Sequence, residues 1–177
     1  MMTDIVARAD AFAAHAHSAI NHKRKYTGDD YIVHPREVAA IVASVPHTPE
    51  MLAAALLHDT VEDTGVSIET IRAEFGPIVA DLVADLTDIS TPELGNRAVR
   101  KALDLTHTAH ASPSDKTIKL ADLLSNTVSI VAHDPGFARV YLKEKAALLD
   151  VLSDGDATLL ARATATLSAS IARLDGK

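Results

Sequence analysis

The sequence predicts an all-α fold, a helical bundle of about eight to ten helices, from three observations. Apolar residues in the long segments recur at helical rather than alternating spacing. Ala, Leu, Asp and Glu dominate over Tyr, Phe and Trp. Gly and Pro cut the chain into segments of helix length. The first helix is expected over about 4–23, ending in the polar loop Tyr26-Thr27-Gly28-Asp29-Asp30. Pro35 then opens a second helix over about 36–45. Pro46-His47-Thr48-Pro49 reads as a turn in which Thr48 caps and Pro49 takes the first position of a third helix leading into His58-Asp59. Ser67, with Thr70 nearby, starts a short helix that Gly76-Pro77 stops, and about 78–86 makes another. A helix over about 96–111 follows Pro92 and Gly95, and Ser112-Pro113 begins the next. Asp134-Pro135-Gly136 breaks that helix, and two alanine- and leucine-rich packing helices, about 138–152 and 156–174, complete the pattern.

Composition narrows the classes of function. The 177 residues match one domain of ordinary size, with no repeat or linker, so a single domain over 1–177 is expected. With no cysteine, any metal must be held by nitrogen and oxygen donors, which points to Mn, Mg, Fe or Zn. The N-terminus lacks the basic start and apolar stretch of a signal peptide, and no apolar run approaches about 20 residues, so a cytoplasmic protein without membrane contact is expected. A formal charge of -7 argues against nucleic-acid binding, since an anionic ligand would need a local basic cluster or a metal. Composition leaves monomer or homodimer open.

The most telling stretch is Met51-Leu52-Ala53-Ala54-Ala55-Leu56-Leu57-His58-Asp59-Thr60-Val61-Glu62-Asp63-Thr64, where four ionisable side chains crowd the end of an apolar run. Such crowding is costly without compensation, and a divalent cation is the natural compensator. Neighbours on a regular helix project about 100° apart, so His58 and Asp59 suit adjacent positions of an octahedron. His34, just before a helix start, and Asp122, in the apolar stretch Ile118-Lys119-Leu120-Ala121-Asp122-Leu123-Leu124, are the expected further ligands. The blander reading makes the histidines hydrogen-bonded core residues and pairs Asp122 with a nearby Lys or Arg.

His34, the His58-Asp59 doublet and Asp122 resemble the H…HD…D signature of HD-domain metal-dependent phosphohydrolases. Three longer blocks are similar to the hydrolase domain of RelA/SpoT-type proteins: Arg24-Lys25-Tyr26-Thr27-Gly28-Asp29-Asp30-Tyr31-Ile32-Val33-His34-Pro35, Ala55 through Thr64, and Lys119-Leu120-Ala121-Asp122 with Asn126. They occur in that family's order and spacing over about 1–150, so the chain resembles a stand-alone small alarmone hydrolase. The resemblance implies a single HD-type domain, with its metal-binding core at about 20–150 and packing helices at about 138–175.

The resemblance also implies roles. His34, His58, Asp59 and Asp122 would hold one Mn²⁺-like ion, and Glu62 and Asp63 would face the attacking water, accepting its proton while the metal lowers its pKa. Arg24 and Lys25 would border the nucleotide pocket, with Lys23 a lesser contact, although a basic run is also favourable as a solvated helix end. Asn126, one turn past Asp122 and on its face, would reach ribose or base. Arg97 and Arg100, with Asn96 and Lys101, form a polar stripe for distal phosphates or an exposed face. Tyr141 has the position of an aromatic residue flanking the nucleotide, or serves the core. His15, His17, His47, His107, His110 and His133 are expected in surface or core roles.

Two departures bear on substrate. Where RelA/SpoT hydrolases carry a basic residue directly after Lys-Leu-Ala-Asp and an aromatic or His two positions later, this chain has Leu123 and Ser125. The expected reaction is Mn²⁺-dependent removal of the 3′-diphosphate from a (p)ppGpp-like nucleotide, giving GDP or GTP and pyrophosphate. The alternatives are hydrolysis of (p)ppApp or an NADPH-like phosphorylated nucleotide, and a non-catalytic nucleotide-sensing module. The Glu62-Asp63 pair argues against the last, since a sensor needs no water-activating carboxylate.

Overall fold

A computed structural model describes residues 2–176, with side chains over 5–176. Among the described residues the secondary structure is helical, apart from an isolated antiparallel bridge between Lys23 and Asp30. The all-α expectation is met. The chain forms two compact units, residues 1–87 and 88–177, and each is described by itself.

The first unit holds α1 (Met2–Ala19), α2 (Val33–Val42), α3 (Pro49–Leu57), α4 (Thr60–Thr64), α5 (Ile68–Phe75) and α6 (Pro77–Leu86). Helix α3 is its spine: Ala53, Ala54, Ala55, Leu56 and Leu57 are all buried, and α1, α2 and α6 pack around it. Thr48 caps α3 by accepting from the Met51 N–H at 3.2 Å, with Pro49 opening the helix, as the sequence predicts. Ser67 likewise caps α5 through the Thr70 N–H.

Several boundaries differ from the reading, among them the end of α2, at Val42 rather than about 45. Helix α1 stops at Ala19 because Asn21 enters the left-handed region (φ 52°), where the His22 and Asn21 N–H groups bond the His17 and Ser18 carbonyls at 3.0 and 2.9 Å. That is a Schellman stop, and asparagine tolerates its backbone better than most residues. Residues 22–24 thereby leave the helix and pair with 29–31, so the basic run lies on a closed loop rather than a helix end. Helix α2 starts at Val33 rather than about 36, because proline costs nothing in the first turn, where its absent N–H would have no intrahelical acceptor.

The second unit contains a 3-10 turn (Pro92–Leu94) followed by α7 (Arg97–Ala109), α8 (Pro113–His133), α9 (Pro135–Val151) and α10 (Ala157–Asp175). Ser112 and Asp115 form a reciprocal capping box at the start of α8. Helices α8, α9 and α10 pack on one another around Ala138, Tyr141, Leu142, Leu167 and Leu174. No described helix is long and apolar enough to cross a membrane.

Candidate metal centre and active site

The His58-Asp59 doublet does not sit within one regular helix. Leu57 ends α3, His58 is its C-cap, and Asp59 is the N-cap of α4, an element the sequence reading did not separate. The break brings three donors together: one ligand atom each of His34, His58 and Asp59 lies within 4.8 Å of the others. Asp59 Oδ2 is 3.1 Å from His58 Nε2 and 3.7 Å from His34 Nε2. Both histidines are buried, at 4% and 1% exposure.

The tautomer of His58 decides what this cluster can hold. Its Nδ1 lies 2.7 Å from the Ala55 carbonyl, which can only accept, so Nδ1 carries a proton. In the neutral ring the Nε2 lone pair then faces a carboxylate oxygen, and that contact requires a positive charge between the two atoms. A proton or a metal cation supplies it, and two imidazoles with a carboxylate are a donor set suited to a divalent ion. The cluster therefore fits one.

Glu62 and Asp63 are exposed on α4, one turn past Asp59, with the Asp63 N–H bonded to the Asp59 carbonyl at 3.0 Å. The Asp63 carboxyl is pushed up, first by partial desolvation and then by the negative charge of Asp59, with His22, His58 and His34 opposing. A raised carboxyl is a better proton acceptor from water than an ordinary surface aspartate.

Beside the cluster stands a residue the sequence reading gave no role. Tyr31 donates its hydroxyl to Asp59 Oδ2 at 2.6 Å. Its ring stacks on His22 (3.8 Å between centroids, 9°), and Nδ1 of His22 lies 3.0 Å from Nδ1 of the fully buried His17. Burial pushes His17 down to about 4, so it is neutral at pH 7 and serves the core, one of the two roles expected of it. Only the position of Tyr31, three residues before His34 and thus one turn away, hinted at proximity.

The basic residues have mixed engagements. Lys23 is bonded to Asp30. The Arg24 guanidinium stands 5.7 Å from the Tyr31 ring centre, and Lys25 lies over Tyr26 at 5.1 Å.

Asp122 belongs to the second unit, half-buried on α8. Asn126 Nδ2 donates to its Oδ1 at 2.7 Å, and Lys119 Nζ lies 4.0 Å from Oδ2. The same-face expectation for 122 and 126 is met, and the structure gives Asn126 a job the sequence reading did not, which is to orient Asp122. Leu123 and Ser125, the two departures, are buried at 1% and 9% exposure.

Arg97 is held bidentately by Glu144 at 2.7 and 2.9 Å and lies over Phe137. Arg100 has a buried Nε. Tyr141 is buried in the core of its unit, where burial raises its phenol and its hydroxyl lies 3.3 Å from Thr127 Oγ1. A cavity of about 450 Å³ opens between α7 and α9, lined by Arg97, Lys101, Lys119, Lys145 and apolar residues including Leu105 and Leu148. Lys145 is pushed down to about 8 there, chiefly by burial and then by the charge of Lys119.

An HD domain model matches residues 9–108, more than half of the chain. The chain belongs to the HD-domain family. Among its HD-domain relatives, the guanosine-3′,5′-bis(diphosphate) 3′-pyrophosphohydrolase of Mus musculus is 40% identical over 118 residues, covering 65% of this chain and 63% of that protein. The GTP pyrophosphokinase of Streptomyces coelicolor is 42% identical over 105 residues, covering 59% of this chain and 12% of that protein. The chain thus spans only part of the curated relatives it matches. A solved structure of a metazoan ortholog of SpoT, a protein that hydrolyzes ppGpp and plays a role in starvation responses, matches with a TM-score of 0.81 at 29% identity, covering 93% of this chain and 94% of that one.

Proposed function

We propose that residues 1–177 work as one HD-type hydrolase that removes the 3′-diphosphate of a (p)ppGpp-like nucleotide, releasing pyrophosphate and GDP or GTP. The observation that carries the reading is the convergence of His34, His58 and Asp59 beside the exposed acids Glu62 and Asp63, in a chain with 3′-pyrophosphohydrolase relatives.

His34, His58 and Asp59 would hold the ion, Mn²⁺ by resemblance, and the resemblance assigns a further ligand to Asp122, whose Oδ1 accepts from Asn126. The bound ion supplies acidity to water and neutralises charge on a phosphoryl oxygen. Glu62 and Asp63 accept the proton of the attacking water. Water adds to the phosphorus bonded to O3′, the O3′–P bond breaks, and the proton taken up by the Glu62-Asp63 pair passes to the leaving oxygen, which ends as the 3′-hydroxyl.

Arg24 and Lys25 supply the counter-charge that a phosphate-rich ligand needs in an acidic chain. Lys23, Arg97 and Arg100 are secondary contacts, since Lys23 and Arg97 already hold Asp30 and Glu144. The test is a panel of ppGpp, pppApp, NADPH and nucleoside monophosphates incubated with Mn²⁺-loaded protein, with products separated by chromatography. Pyrophosphate and GDP from ppGpp are expected. Turnover of pppApp or NADPH in its place would move the substrate class, and phosphate release from monophosphates alone would reject the alarmone reading.

A further inference from the structure

We infer that Tyr31 is the positioning residue of the metal centre: its hydroxyl fixes the Asp59 carboxylate, and its ring ties that ligand to the loop bearing Arg24 and Lys25. The inference rests on the metal reading of His34, His58 and Asp59.

Asp59 needs such a holder. It occupies a helix break, its side chain is largely buried, and Oδ2 lies closest to both imidazoles. Without the ion, the carboxylate is repelled by the Nε2 lone pair of His58, and a donor on the same oxygen limits the rotation that would take Asp59 out of the ligand set. The Tyr31 hydroxyl, at 2.6 Å on that same Oδ2, is a short bond from a neutral donor to an ionised acceptor. It leaves a second lone pair on the oxygen, so holding and ligation do not compete.

Tyr31 is itself held from several directions. Its N–H donates to the His22 carbonyl at 3.2 Å, its ring stacks on the His22 ring, and the His17 ring lies 4.6 Å away. His17, at 1% exposure, anchors this layer in the core, while the Arg24 guanidinium lies 5.7 Å from the Tyr31 ring centre. One side chain thus links a loop cation to a metal ligand 28 residues further along the chain.

The test is Mn²⁺ titration calorimetry on the metal-stripped full chain, followed by kinetics at saturating metal. Tyr31→Phe keeps the stack and removes the hydroxyl. Loss of a group that orients a ligand weakens metal binding by about 10–100-fold, so the Kd rises by that factor, while KM at saturating metal stays as in the wild type. Tyr31→Ala also removes the ring beneath Arg24, so KM rises as well. His22→Ala, which loosens the stack but keeps the hydroxyl, raises Kd less than Tyr31→Phe and serves if Tyr31→Ala does not fold.

A Tyr31→Phe affinity equal to wild type, with His58→Ala binding no metal, would overturn the positioning role and leave the metal centre standing. So would a larger Kd effect from His22→Ala than from Tyr31→Phe, because loop packing would then be the cause. A wild-type chain that binds no Mn²⁺ overturns both readings together.

Discussion

Replacing His58 by alanine separates what the metal contributes to stability from what the imidazole contributes alone. In metal-free protein the ring is buried at 4% exposure with Nδ1 bonded to the Ala55 carbonyl at 2.7 Å. Deleting it strands that carbonyl, at about 1–3 kcal/mol, and leaves a void of imidazole size. Relief of the 3.1 Å contact with Asp59 offsets part of this, so His58→Ala is destabilised by about 1–3 kcal/mol before any metal is added. Metal then widens the gap. At free Mn²⁺ about a hundredfold above Kd the wild type gains about 2.7 kcal/mol, or about 5–10 °C in Tm for a chain of this size. His58→Ala gains nothing, whereas Glu62→Ala, exposed and outside the donor cluster, keeps the full shift while losing turnover. Thermal melts of metal-stripped protein with and without Mn²⁺ measure all three. A shift retained in His58→Ala, or abolished in Glu62→Ala, would refute the division between holding and activating groups.

Two further outcomes follow from local geometry. His17 is pushed down to about 4 from 6.5, so the unfolded chain takes up a proton before the folded one does, and its contribution is whole above about pH 6.5 and lost as pH falls towards 4. Urea melts of metal-free protein between about pH 7 and pH 4 should show a loss of up to ~3 kcal/mol that His17→Gln lacks, and equal pH slopes in both proteins would contradict the assignment. Gly155 sits where an added Cβ would come within 2.9 Å of Leu120 Cδ1 and 3.2 Å of the Leu152 carbonyl oxygen and of the Lys116 carbonyl carbon. The leucine tip can turn but the backbone atoms cannot, so Gly155→Ala should cost about 1–3 kcal/mol, read as a lowered Tm with turnover at low temperature unchanged.

Features written in neighbouring residues were legible, and features made by distant ones were not. Thr48, Ser67 and Ser112 announce helix starts because a cap needs only its own hydroxyl and an N–H three residues on. Asn126 and Asp122 could be placed on one face because four residues is one turn. The metal-ligand candidates stood out because ionisable groups in apolar runs demand a partner. The early end of α1 escaped notice, since nothing before Asn21 forbids another turn and the stop depends on one residue accepting a left-handed backbone. Helix α4 is five residues long, too short for periodicity to register. Tyr31 and Asp59 meet through the packing of α2 and α4 with α3 and α1, which no local spacing encodes.

Helix α4 also explains how one short segment serves both parts of the proposed chemistry. Were α3 to continue unbroken through residue 59, Asp59 would be one more position on a buried helix, about 100° round from His58. The break turns Asp59 into the first residue of a new turn, and the acid four positions on, Asp63, stacks above it as in any α-helix, through the backbone bond from its N–H to the Asp59 carbonyl. Burial then sorts the acids: Asp59 faces two desolvated imidazoles, while Glu62 and Asp63 face outward, the side from which the proposed reaction would draw its water. Because one five-residue helix sets that spacing, disrupting α4 separates the ligand from the proton acceptors even if the His34–His58 pair survives. Gly65, at φ 76°, closes the helix with a conformation that only glycine adopts cheaply. Gly65→Val should therefore lower kcat more than it weakens metal binding, and steady-state kinetics beside Mn²⁺ titration would show whether it does.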